Sequence, residues 1–180
     1  LGRGRAGRGR EPSLASGRSI CYSGEVTSGE KPGPGDTASF AVRVLYADTD
    51  QMGVVYHATY LRWFEAARAE LMRDRGSSYA EMERHGVLLP VVEAGLTYHK
   101  PARYDEQIVA RAWVGELRRA QLRFDYEITR GDEVLVRGFT RHGAITRAGR
   151  PTRIPPGVRE SLDAERRPTG EGTDKTEGDR

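Results

Sequence analysis

The sequence predicts an α+β domain: one long helix packed against a single antiparallel five-stranded sheet. Three observations carry this. "SFAVRVLYAD", residues 39–48, alternates like a strand; a helical apolar period begins near Ala58; and four strand-like runs separated by short turns follow the helix.

Along the first run Val42, Val44 and Tyr46 share a face, and the strand is expected to end at the acids Asp48 and Asp50. Tyr60, Phe64, Ala67 and Leu71 then recur at helical spacing, flanked by Leu61 and Met72, with Arg62, Glu65, Arg68 and Glu70 between them. Glu65 and Arg68, three apart, are expected to pair on the helix surface. Gly76 supplies a stop. A short helical piece at Tyr79–Arg84 precedes "GVLLPVVEAGLTYHK", a strand that bends at Pro90 or Gly95 and closes at Pro101. "QIVARAWVGEL" is apolar on both faces at Ile108, Val109, Ala112, Trp113 and Val114, as an interior strand should be. "AQLRFDYEITR" alternates, with Leu122, Phe124, Tyr126 and Ile128 on one side and charges on the other, and "RGDE" turns it into the last run, "VLVRGFTRHGAIT".

The flanks differ in composition. Residues 1–37 hold nine of the 22 glycines and few spaced apolar residues, so they read as a disordered tail that cannot bury enough surface to offset its ordering entropy. Their arginine–glycine spacing also fits an arm that clings to nucleic acid. Residues 157–180 form a charged, aperiodic tail after a short turn near Val158–Leu162. The folded domain is expected at 38–156. A formal charge of +3, mixed in sign along the chain, argues against a nucleic-acid-binding face. The single cysteine, Cys21, excludes a disulfide framework and fits a reducing cytoplasm. No apolar run reaches the roughly 20 residues of a membrane span. A lone sheet around one helix leaves apolar edge exposed, which predicts a homodimer or homotetramer.

"DTDQMG" at 48–53 admits several chemistries. Both acids suit the start of a helix, where free amides and the macrodipole stabilise a carboxylate. Asp48, Asp50 and Gly53 match three positions of a calcium loop, but Met52 and Thr59 stand where oxygen-rich ligands are required. His57, His85, His99 and His142 lack the spacing of a metal site, and no nucleophile elbow or phosphate loop is present.

"RVLYADTDQMGVVYHATYLRWFEAARAELMRDRG" resembles the signature of the hotdog-fold acyl-CoA thioesterases, in the branch of 4-hydroxybenzoyl-CoA thioesterase and the YbgC thioesterases. The shared features are Thr49–Asp50, Gly53, Val54–Val55, Tyr56–His57, and Glu65 with Arg68; "YHKPARYDEQIVARAWV" extends the likeness across the core. The resemblance implies a hotdog fold and hydrolysis of an acyl-CoA thioester with no metal or cofactor. It implies Asp50 as the catalytic carboxylate, acting as nucleophile or as general base on water, and Asp48 as a structural acid. The amide of His57 is implied as the donor that polarises the carbonyl, with Gly53 admitting close backbone approach and Val55 and Tyr56 in the same turn. Independently of the likeness, a thioester needs an attacking oxygen and stabilisation of the developing oxyanion, which the open amides of a helix start supply. Tyr60 and Phe64 are candidate walls of an acyl pocket, and Arg118 and Arg119 are candidates for the CoA phosphates. A non-catalytic acyl-CoA sensor and a hotdog dehydratase are the rival readings.

Overall fold

The structure is a computed structural model that describes residues 37–76 and 79–163. The tails expected at 1–37 and 157–180 lie outside the described residues, apart from residue 37 and residues 157–163. The described elements are β1 (Ala38–Arg43), α1 (Thr59–Asp74), α2 (Tyr79–Arg84), β2 (Val87–Leu88), β3 (Val91–Tyr98), β4 (Gln107–Leu117), β5 (Gln121–Arg130), β6 (Glu133–Gly143), β7 (Ile145–Thr146) and α3 (Pro156–Asp163).

Five strands form one antiparallel sheet in the order β1-β4-β5-β6-β3, with α1 across its inner face, as expected. The strand expected over residues 86–100 divides at Leu89–Pro90, because proline has no amide to continue a ladder. Its first part, β2, pairs with β7 in a separate two-stranded sheet. The last expected run divides likewise, at Ala144, whose amide turns aside to the Ala120 carbonyl at 2.8 Å.

The first strand ends earlier than its alternation suggests. Tyr46–Asp48 is a turn of 3-10 helix, in which Asp48 Oδ2 accepts the Leu45 amide at 2.9 Å. That turn rotates Tyr46 out of the inner row, leaving it 80% exposed while Val44 is 1% exposed. At the other end of the chain, Pro156–Asp163 is a helix rather than a short turn, and it sinks Leu162 into the core.

From α1, the residues Tyr60, Phe64, Ala67, Leu71 and Met72 enter the core, and Trp63 joins them. Phe64 stacks on Tyr126 at 4.3 Å between ring centroids, within 5° of parallel. Gly76 ends α1 with φ +66°. The surface pair expected between Glu65 and Arg68 does not form. Arg68 points inward, and its Nη1 donates to Tyr126 Oη (3.3 Å), Thr140 Oγ1 (3.4 Å) and His142 Nε2 (3.3 Å). Four consecutive turns of α1 face the sheet, and position 68 falls on the inner stripe beside Ala67 and Leu71.

His142 completes this buried network. Its Nδ1–H donates to the Leu89 carbonyl at 2.9 Å, so the neutral ring presents Nε2 as acceptor to Arg68 and to Thr140 Oγ1 at 2.9 Å. Burial, with the Arg68 charge beside it, lowers its pKa from 6.5 to about 4. The folded value lies below the unfolded one, so the unfolded chain binds the proton more strongly. Stability is complete above pH 6.5 and is lost as pH falls towards 4, by roughly 3 kcal/mol. Urea midpoints at pH 7 and pH 4.5 should therefore differ more for the wild type than for His142→Gln; equal differences would contradict this account.

The outer face of β5 is charged in sequence yet sheltered in the fold. Asp125 pairs with Arg123 at 2.8 Å and Glu127 with Arg137 at 2.9 Å, and both acidic residues are buried.

Candidate functional site

The loop between the 3-10 turn and α1 builds the site. Thr49 and Val55 bridge its ends; inside it the Asp50 amide donates to the Val54 carbonyl at 2.9 Å and the Gly53 amide to the Asp50 carbonyl at 2.9 Å. Asp50 Oδ1 accepts the Met52 amide at 2.8 Å, a short-range bond that aspartate makes readily in turns. Gly53 closes the loop at φ +69°, where a side chain is strained. A Cβ there would meet only Arg103 Nη1, at 4.0 Å, so the glycine answers a backbone angle rather than tight packing within the chain.

The two acids have separate tasks, and neither caps α1. Asp48, 6% exposed, caps the 3-10 turn and faces Arg62 Nη1 at 3.6 Å. Asp50 is half-buried in the loop. The residue at the cap position of α1 is Ala58, which has no side-chain acceptor. Among the amides leading into the helix, that of Val55 donates to Ala102 O at 2.8 Å and that of Tyr56 to Asp48 O at 2.9 Å. Those of His57 and Ala58 have no acceptor among the described residues, the condition of a helix start open to an incoming anion or polarised carbonyl.

Asp50, Val55, His57 and Tyr60 line one cavity of about 270 Å³, together with Met52, Val54 and the run Tyr98–Pro101. Tyr60 Oη accepts the Ala102 amide at 3.2 Å, and burial raises its pKa. The Tyr98 hydroxyl donates to the His57 carbonyl at 3.0 Å, and its ring meets Tyr60 edge-on at 5.6 Å. The helix entry is thus held from both sides, by backbone bonds to Ala102 and Asp48 and by the Tyr98 hydroxyl.

Of the residues predicted from sequence, Asp50, Val55, His57 and Tyr60 come together, with Gly53 closing the same loop. Tyr56 lies outside the cavity, 47% exposed, with its ring against the His57 imidazole at 4.3 Å. Phe64 is not a wall of this cavity, because it lies one turn deeper, on Tyr126. Arg118 and Arg119 stand at the opposite end of β4, eleven residues or roughly 35 Å away within the chain. Arg118 is paired there with Glu116 at 2.6 Å. Missed in the sequence were Tyr98, His99 and Lys100 as lining residues; their signal is a hydroxyl, an imidazole and a cation in succession at a strand end before Pro101. Lys100 is paired with Glu133.

A five-stranded antiparallel sheet over one long helix, with an acid and open amides at the helix mouth, has the form of a hotdog-fold thioesterase. The model of the thioesterase superfamily matches residues 52–137. The chain is 44% identical over 87 residues to the putative acyl-CoA thioesterase YneP of Bacillus subtilis, a match that covers 48% of this chain and 63% of that protein. It is 35% identical over 98 residues to the acyl-CoA thioesterase YbgC of Haemophilus influenzae, over 54% of this chain and 72% of that one. Among solved structures, the DHNA-CoA thioesterase of Staphylococcus aureus is 34% identical, with a TM-score of 0.62, over 65% of this chain and 80% of that one. The chain belongs to the thioesterase superfamily, in the group of hotdog acyl-CoA thioesterases related to YneP and YbgC.

Proposed function

We propose that the protein hydrolyses an acyl-CoA thioester to a free acid and CoA, with Asp50 as nucleophile or general base. The observation that carries this reading is that Asp50 and His57, whose amide has no acceptor among the described residues, line one cavity. The thioester carbonyl oxygen sits against the His57 amide, where charge that develops on it is met by a donor already in position. Asp50 faces the carbonyl carbon, either directly or through a water that it deprotonates. Val55 and Tyr60 shape the acyl side of the cavity, while Tyr56 backs the His57 ring. Arg118 and Arg119 act on CoA from another subunit of a homodimer or homotetramer, since their own chain holds them at the far end of the sheet. The setting is the cytoplasm.

The test is thiol release from a panel of short-chain, long-chain and aromatic acyl-CoAs. Turnover of none of them would defeat the proposal. Tyr98→Phe provides a further check: it removes the bond to the His57 carbonyl but keeps the ring, and one neutral hydrogen bond is worth about 1 kcal/mol. Thiol release should fall about fivefold with little change in melting temperature.

A further inference from the structure

Thioester hydrolysis releases a thiolate, and a proton must reach it before the products part. In the proposed pose the carbonyl oxygen lies at the His57 amide, the attacking oxygen comes from the side of Asp50, and the acyl group lies against Val55 and Tyr60. The sulfur takes the remaining wall, the strand end Tyr98–Pro101. Tyr98, His99 and Lys100 are exposed there, so this is also the side on which the long thiol carrier leaves the cavity.

The backbone of that wall is held in place. The His99 and Lys100 amides both donate to the carbonyl of buried Leu135, at 2.8 and 3.1 Å, and Pro101 fixes the next backbone angle. The Tyr98 hydroxyl, bonded to the His57 carbonyl at 3.0 Å, ties the same strand end to the helix entry.

The other proton carriers at the cavity are engaged. Tyr98 gives its hydroxyl proton to the His57 carbonyl, and the Lys100 ammonium pairs with Glu133. Tyr60 is 2% exposed, and burial raises its pKa. The His57 ring packs against Tyr56 at 4.3 Å between centroids. His99 differs: it is exposed on the cavity wall, and among the described residues its ring nitrogens have no hydrogen-bond partner. Imidazole is also the side chain that both holds and gives up a proton near neutral pH.

We propose that His99 is a catalytic residue of this site, the acid that protonates the leaving thiolate. The inference rests on the thioesterase reading and supplies the half of the reaction that Asp50 does not perform. On the base route, Asp50 takes one proton from water as the C–O bond forms. The C–S bond then breaks, the electron pair left on sulfur takes the His99 proton, and the Asp50 proton returns to His99 through solvent. On the nucleophilic route, Asp50 displaces the sulfur, which takes the His99 proton. Neutral His99 then accepts a proton from the water that opens the anhydride. In both routes water is the source of the proton on the thiol and of the proton on the acid.

Two thioesters of the best acyl group, one on CoA and one on thiophenol, test the assignment. Thiophenolate is the weaker base and leaves unaided, whereas an alkyl thiolate gains from a proton donor. In His99→Gln the ratio of kcat for the CoA ester to kcat for the thiophenyl ester should fall about tenfold. That is less than the roughly hundredfold or more usual for general acid catalysis, because a thiolate is a far weaker base than an alkoxide. A merely structural role would lower both esters together and leave the ratio alone. Added imidazole should restore the ratio in His99→Ala, and melting curves establish that both variants are folded. An unchanged ratio in folded His99→Gln, or a fall that appears in His57→Gln instead, overturns the proposal and leaves the thioesterase reading standing. Turnover of neither ester by the wild type overturns both.

Discussion

Replacing Asp50 by asparagine is expected to lower thiol release from the best acyl-CoA substrate by at least about a hundredfold, in kcat more than in KM. Asparagine has the same shape, and its side-chain oxygen can still accept the Met52 amide that Asp50 Oδ1 accepts at 2.8 Å. The loop from Asp50 to Val54, held by its own backbone bonds, should therefore persist, and with it the open amides at His57 and Ala58. What is lost is the charge and basicity of one carboxylate, and both proposed routes need it: a nucleophile to form an anhydride, or a base to take a proton from water. A variant that stays folded and keeps activity within threefold of the wild type would remove Asp50 from the mechanism. Because the two routes predict the same loss, the variant tests the residue and not the route.

The second large effect falls on stability. Gly138 lies on the inner face of β6, opposite Tyr126 and against the Phe64 ring of α1. A Cβ there would stand 2.6 Å from the Gly95 carbonyl oxygen and 2.7 Å from Phe64 Cε2. One of these neighbours is backbone on the paired strand, and the other is a fully buried ring stacked on Tyr126, so neither yields cheaply. Gly138→Val should thus force α1 and the sheet apart and cost about 3 kcal/mol or more, a fall in melting temperature of roughly 10 °C. Phe64→Leu in the same chain empties space at the clash and should recover part of the loss. Differential scanning calorimetry of the two single variants and the double variant closes the cycle; strict additivity would show that the Phe64 contact is not the cause.

Much of the architecture was legible because it depends on period. The apolar positions Tyr60, Phe64, Ala67 and Leu71 are fixed by helical spacing, and Leu122, Phe124, Tyr126 and Ile128 by alternation, and all of them are buried. A bend was expected at Pro90 or Gly95 within one strand; instead the run breaks at Leu89–Pro90 into strands of two sheets, and Gly95 continues inside β3. The fate of Arg68 was not legible. Its place on the inner stripe conflicts with its charge, and partners brought in from β5 and β6, among them Tyr126, Thr140 and His142, help make its burial tolerable. The end of β1 was missed for a related reason: alternation through Tyr46 looks like a strand, but the Asp48 carboxylate captures the Leu45 amide and closes a turn.

By itself the sequence determined the class of fold, the loop that carries Asp50 and Gly53, and the membership of the chain in a thioesterase lineage, since each is written in residues close together along the chain. The tertiary structure alone decided the rest. It left the amides of His57 and Ala58 open while those of Val55 and Tyr56 were bonded, it brought Tyr98 from β3 to the helix entry, and it set His99 on the wall of the cavity that Asp50 lines. These are meetings of residues distant in sequence. A pattern along the chain specifies which face a side chain takes, whereas the crossing of α1 over the sheet and the strand order decide what that face meets.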